Sequence, residues 1–361
     1  MKDNKKHKKA EYGILITGLI ILLAAACIIA LCAGQYSVSV PEVIKILASR
    51  FVNVTKTWSN TAEGVVFTLR LPRIIGAVLV GSALSLSGAA YQGVFKNPLV
   101  APDLLGVSSG ACVGASVAIL LHLNSFGVQA MAFVAGILAV GLTLFIPRLI
   151  KNTNMTMLVL SGIIVKGIMD SVMGIIKYVA DPETELQSIT YWQLGSLTKV
   201  LPKDLFTVGP VIVAASVIIF LLRWRINILS LGDREAKTLG VSVTVVRNFI
   251  IICATLLTAS AVCISGTIGW IGLVIPHFAR MLTGPDNTKV IPASILMGAI
   301  FMVVIDTLAR ALTSVELPLS ILTGIIGAPF YIIILARQIV FPEDCLQPLL
   351  HFILLYLPDK G

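Results

Sequence analysis

Ten apolar runs divide the chain, near residues 13–34, 72–92, 104–122, 127–147, 155–176, 205–222, 247–266, 268–282, 291–311 and 319–336. Each has about the 20 residues needed to cross a bilayer as a helix, or somewhat fewer. Strands with open edges cannot satisfy their backbone in lipid, so all ten are expected to be helices. Three polar links between them are long. The link 37–69 contains "VPEVIKILASRF", with apolar residues at helical spacing, and should lie along a surface. The link 180–203 has an acidic start and then Tyr191–Trp192, which suits an interfacial helix. The link 223–247 carries "LSLGDREAKTLGV".

Composition turns the pattern into a class. The 361 residues are 57% hydrophobic and 12% charged, where a soluble domain would carry about a quarter charged residues. The chain reads as an all-α polytopic membrane protein surrounded by lipid. Its first run follows a Lys-rich head and is long enough to span, so it reads as an uncleaved first helix behind a basic tail, 1–12. "LAAAC" ending at Cys27 fits a lipoprotein site poorly, because Ala24 stands where Leu is usual.

Charge sets the orientation. With the N-terminus inside, sixteen basic residues fall on the cytoplasmic side and nine outside, as the positive-inside rule requires. Both termini are then cytoplasmic, in a cytoplasmic membrane. The net charge of +9 is explained by these loops and does not call for nucleic acid. Six cysteines form no C-x-x-C pair, and the four histidines are scattered, so no metal site is signalled. No nucleophile–base pair stands out, which argues against a membrane enzyme. No G-x-x-x-x-G-K-[ST] occurs, so any ATP hydrolysis must come from another chain.

Several stretches mark candidate sites. Residues 81–116 are dense in Gly, Ala and Ser, which lets helices approach closely, whether for packing alone or beside a pathway. "KNPLVAPD" makes a non-helical turn from two prolines, Asn97 and Asp103. "GTIGWIGLVIPHFARML" is a second interrupted run, and the ten-residue spacing of Gly88 to Pro98 recurs from Gly266 to Pro276, hinting at two related halves. Lys166 and Asp170 stand four apart inside the fifth run, so they share a helical face. They either line a wet path or lock helix packing as a self-neutralising pair. Asp306 and Arg310 repeat that spacing. "LRLPR" places Arg70 and Arg73 at the outer mouth of the second run.

Five pieces occurring in order, "LRLPR", "SGAAYQGVFKNPLVAPDLLGVSSGA", "LGDREAKTLGV", "GTIGWIGLVIPHFARML" and "ELPLSILTGIIGAPF", resemble the permease family of ABC importers for ferric siderophores, haem and cobalamin, with the type II importer fold. The resemblance covers about residues 10–337. It implies a ten-helix permease domain over 13–337 and no cofactor bound by this chain. It implies a second permease (the same chain or a close paralogue), two cytoplasmic ATPase subunits that use the ATP, an extracytoplasmic binding protein and a metal-chelate substrate. The path would lie at the permease dimer axis, lined partly by the fifth and tenth spans. By position, Gly232, Glu235, Ala236, Leu239 and Gly240 match the coupling element that docks on the ATPase. Asn97, Pro98 and Leu99 match the cytoplasmic gate loop, with Asn154 and Met155 as a second gate element. Arg70, Arg73 and Arg310 match residues that face acidic groups on the binding protein. A ferric siderophore is the expected cargo, with cobalamin and haem as alternatives. An ion-coupled carrier also uses broken helices but needs no ATPase dock. The tail 338–361 departs from the family pattern, and its apolar stretch 349–357 is too short to span.

Overall fold

The computed structural model describes residues 2–340 apart from 54, 153 and 314. The expected tail, beyond residue 340, lies outside the described residues. Among the described residues the structure is all helical and turn. In chain order the helices are α1 Lys2–Cys32, α2 Val40–Ala48, α3 Asn60–Gly64, α4 Leu71–Phe95, α5 Val107–Leu120, α6 Ser125–Leu149, α7 Met155–Val179, α8 Glu185–Leu194, α9 Pro202–Leu231, α10 Asp233–Thr238, α11 Val243–Ser265, α12 Ile271–Thr283, α13 Asn287–Ala311 and α14 Leu319–Val340. The two long links on one face do form helices, α2 and α8, and α2 buries Val43 and Ile46 as its spacing requires.

Among the described residues seven helices are long and apolar enough to cross a membrane, fewer than the ten expected. Three expected spans are shorter apolar helices, Val107–Leu120, Ile271–Thr283 and Leu319–Ile332 within α14. The first two are short because the chain breaks just before them. At 1.5 Å per residue, α5 and α12 reach only about 20 Å. A 3-10 turn, Pro102–Leu105, precedes α5, and the glycine-containing link 266–270 precedes α12.

Neighbouring elements supply partners for much of this broken backbone, as irregular backbone within a membrane bundle requires. Thr143 Oγ1 of α6 donates to the Leu105 carbonyl at 3.0 Å. A Cβ on Gly162 of α7 would overlap the Leu104 carbonyl oxygen. Ser196 N donates to Ser265 O at 2.8 Å, and Leu319 N donates to Gly195 O at 3.0 Å. The link after α11 is thereby held by the link after α8, which also receives the start of α14.

The centre of the bundle is α4, which packs on α9, α11, α12 and α13. Its small residues make that possible. A Cβ on Gly88 would overlap the Gly272 carbonyl of α12, and one on Gly81 would overlap the Gly298 carbonyl of α13. Backbones this close can also hydrogen-bond across helices. Tyr91 and Thr255 hydroxyls meet at 3.0 Å, Thr258 Oγ1 donates to Ser87 Oγ at 3.1 Å, and Gln92 Nε2 donates to Gly272 O at 3.3 Å.

Candidate functional site

The two backbone breaks face one another across a groove of about 320 Å³. Its walls include Asp103, Ser109, Asp170, Thr258, Thr267 and Trp270. Trp270 caps α12 with a φ of 71°, a left-handed conformation that costs a bulky residue energy and is held there by its surroundings. Gly327 of α14 gives it room, since a Cβ there would come 2.8 Å from the Trp270 Cβ.

Lys166 and Asp170 lie in the middle third of α7, on its exposed side. Of the two readings left open by the sequence, the mutual pair does not form: Lys166 Nζ lies 3.8 Å from Asp103 Oδ2 instead, across the groove edge. Asp170 makes no ion pair among the described residues and lines the groove. Uncompensated charge at such depth is tolerated where water or cargo reaches it. Sequence spacing favoured the neighbour four residues away. The fold brings up Asp103, a residue noticed only as a turn former. Trp270 was missed as well, although its place just after a Gly-Thr-Ile-Gly break was the available signal.

At the end of the bundle that carries the start of α1, α4 closes on Lys96 in the left-handed region, φ 53°. Asn97, Pro98 and Leu99 follow as an exposed loop, with Leu99 56% exposed. Asn97 Oδ1 accepts from Leu99 N at 2.9 Å, so the loop is a local turn with its apolar residue facing out. Asn154 is the N-cap of α7 and exposed, and Met155 is half-buried.

The same end presents α10. Gly232 precedes it with φ 144° and ψ 156°, a conformation that favours glycine, and Gly240 follows it with φ 77° and open space where a side chain would go. Glu235 and Leu239 are exposed, Leu239 by 59%. Ala236 does not belong with them. It is fully buried within the subunit's own core, because α10 folds back on α9 and α11.

The opposite end holds the three arginines, and they are not free anchors. Arg70, Arg73 and Arg310 are 5%, 8% and 8% exposed. Arg70 donates to the carbonyls of Leu31 at 2.6 Å and Cys32 at 3.2 Å, and also to Tyr36 O. Arg310 donates to Ala30 O. The last carbonyls of a helix have no internal partner and carry partial negative charge, so two cations cap α1. Gly34 makes the space, since a Cβ there would sit 2.8 Å from Arg70 Nη2. Arg73 Nε reaches both carboxylate oxygens of Asp306, at 2.8 and 3.0 Å, and Arg73 Nη1 reaches Glu316 at 2.8 Å. Arg310 Nε lies 3.8 Å from Asp306. The family resemblance has these guanidiniums face acidic groups on the binding protein; within the subunit they are already paired. Their acceptors lie inside the subunit.

Glu316 was not singled out from sequence. It bridges Arg73 to the Thr198 hydroxyl and lines a cavity of about 830 Å³ together with His122, Tyr191, Trp192 and Lys199. Burial alone would raise its carboxyl, but the hydrogen bonds from Arg73 and Thr198 and the Arg73 charge hold it below the usual carboxylate value.

The model of the FecCD transport family matches residues 22–337. The molybdate import system permease protein MolB of Haemophilus influenzae is 37% identical over 89% of this chain and 95% of its own length. The Fe(3+)-citrate import system permease protein YfmE of Bacillus subtilis is 33% identical over 92% of this chain and 97% of its own. A solved structure described as an inward-facing conformation of a metal-chelate type ABC transporter superposes with a TM-score of 0.81 at 35% identity, covering 90% of this chain and 99% of that one.

Proposed function

The chain belongs to the FecCD transport family and is the membrane permease subunit of a metal-chelate ABC importer; we propose that its chelate is a ferric siderophore. The observation that carries the cargo reading is the groove. Each subunit presents Asp103 and Asp170 there against one cation, Lys166, among hydroxyls and an indole. A small oxyanion such as molybdate, the cargo named for one relative, would meet net negative charge in a low-dielectric wall, the arrangement that favours cations over anions. A bulky chelate instead offers its own hydrogen-bonding surface to Ser109, Thr258 and Thr267. Cobalamin and haem remain the alternative cargoes of the same path.

The working assembly in this reading has two permeases, this chain paired with itself or a close paralogue. The exposed face of α7, with Lys166 and Asp170, supports it, because those charges are costly against lipid and inexpensive beside a shared wet axis. α7 and α14 then line the path. The three short apolar helices complete ten membrane helices, with α5 and α12 reaching only part-way and their preceding breaks supplying the rest of the depth. The N-terminus lies in the cytoplasm. Glu235, Leu239 and Gly240 on and after α10 contact one of two separate ATPase subunits. Asn97, Pro98 and Leu99, with Asn154 and Met155, close the cytoplasmic mouth. The face bearing α2 and α8 receives an extracytoplasmic binding protein. Isolating that binding protein with its bound ligand tests the cargo: an iron chelate is expected, and bound molybdate would overturn the assignment.

A further inference from the structure

Three elements of the cytoplasmic end meet on one carboxylate. Asp233 opens α10. Its Oδ1 accepts from Arg247 Nη2 of α11 at 2.6 Å and lies 4.0 Å from Lys96 Nζ. The two cations differ in kind. The Arg247 side chain is 13% exposed, and its Nε is buried without a partner, so Asp233 is what holds that guanidinium in place. Lys96 is considerably more open, and its bond is longer. Lys96 is also the left-handed residue that ends α4 and directly precedes the loop 97–99.

A second fastening lies just before α10. Ser230 Oγ on the last turn of α9 lies 3.2 Å from Gly93 O of α4 and 2.9 Å from Ile226 O of its own helix, with one proton to share between the two carbonyls. A Cβ on Gly93 would overlap Ile226 Cγ2 of α9, so this α9 side chain packs directly on the α4 backbone. The end of α4 therefore meets the α9–α10 corner through the Ile226 and Ser230 side chains on one side and an ion pair on the other. The loop 97–99 begins immediately beyond both ties.

We propose that Asp233 is a positioning residue that transmits movement of α10 to the loop 97–99, an inference that rests on reading α10 as the ATPase contact and 97–99 as the gate. Arg247 is the pivot: its short bond holds Asp233 against α11, so that a shift of α10 turns the carboxylate toward or away from Lys96. Lys96 is the exchanged partner: its longer, exposed ion pair breaks and reforms with the position of α10, and its backbone carries the result one residue on, to Asn97. Exposed ion pairs are weak, which suits a contact remade in every cycle. A contact present in one state and absent in the other is what links two conformational equilibria.

The test uses the complete complex, permease pair, ATPases and binding protein, in proteoliposomes. The readout is radio-iron-labelled ferric trihydroxamate imported per ATP hydrolysed, compared for the wild type, Lys96→Met, Asp233→Asn and the double variant. Lys96→Met should lower the ratio by up to about fivefold, the scale of one exposed ion pair. Asp233→Asn should lower it at least as far, and the double variant no further than Asp233→Asn alone, because both act through one link. A purely structural role would reduce the amount of assembled complex and leave the ratio unchanged. Lys96→Met keeps the Arg247–Asp233 bond, so it remains informative if Asp233→Asn assembles poorly. Unchanged ratios, or losses that multiply in the double variant, beside an active wild type overturn the inference alone. A wild-type complex without ATP-driven import overturns the reading beneath it and the inference together.

Discussion

Asp306 is 1% exposed, with Arg73 bonded to both of its oxygens and Arg310 close by. Removing one partner of such a pair leaves a buried charge unpaired and costs about 3–5 kcal/mol. Asp306→Ala is therefore expected to destabilise the purified subunit by that amount, read as a large fall in unfolding temperature in detergent. Arg73→Glu, which places three carboxylates together, should be worse. An exposed docking arginine would tolerate reversal with its unfolding temperature intact. The sequence placed these arginines at the mouth of the second span but could not show what they bond. Arg73 and Asp306 are 233 residues apart, and nothing local to "LRLPR" distinguishes a cation reaching outward from one turned in to cap α1. The Asp306–Arg310 spacing was legible because both ends lie on one helix.

Helices and breaks were readable to different degrees. Apolar runs located α1, α4, α6, α7, α9, α11 and α13 because length and hydrophobicity alone define them. The same runs overstated α5 and α12, since an apolar stretch stays apolar where the chain turns to present backbone to a neighbour. On α10, the sequence marked the loop and its glycines, but six residues make too short a pattern to reveal which side faces in. The structure separates the two roles. Leu239→Glu puts a charge on the exposed side and should abolish ATP-dependent import while the subunit still reaches the membrane at wild-type level. Ala236→Trp must instead overpack the core, at about 1–3 kcal/mol or more, and should lower the amount of folded subunit. Equal loss of membrane-inserted protein in both variants would contradict this division.

The whole molecule is a central α4 clasped by α9, α11, α12 and α13, with a polar groove on the α7 and α14 side, arginines sealing one end, and α10 with the loop 97–99 at the other. In the paired assembly proposed above, the exposed Leu99 of each copy would meet its mate across the axis. Shortening it to alanine should open a leak: a small dye should pass passively through liposomes carrying the complex without ATP, while the wild type stays tight. The order of the five family-like segments made this architecture legible as a whole. The partner of Lys166 was not legible, because it depends on how the Pro102–Leu105 turn folds back beside α7.

The central claim is that this chain forms the membrane path of an ATP-driven importer for a metal chelate. Its most direct measurement is accumulation of a ferric siderophore in proteoliposomes holding the permease pair, its ATPase subunits and its binding protein. ATP is supplied to the face bearing α10, and ion gradients across the membrane are collapsed. The account predicts accumulation that requires ATP and the binding protein and survives loss of the gradients. Accumulation that proceeds without ATP and stops when a proton or sodium gradient is collapsed would make the protein an ion-coupled carrier and contradict the account.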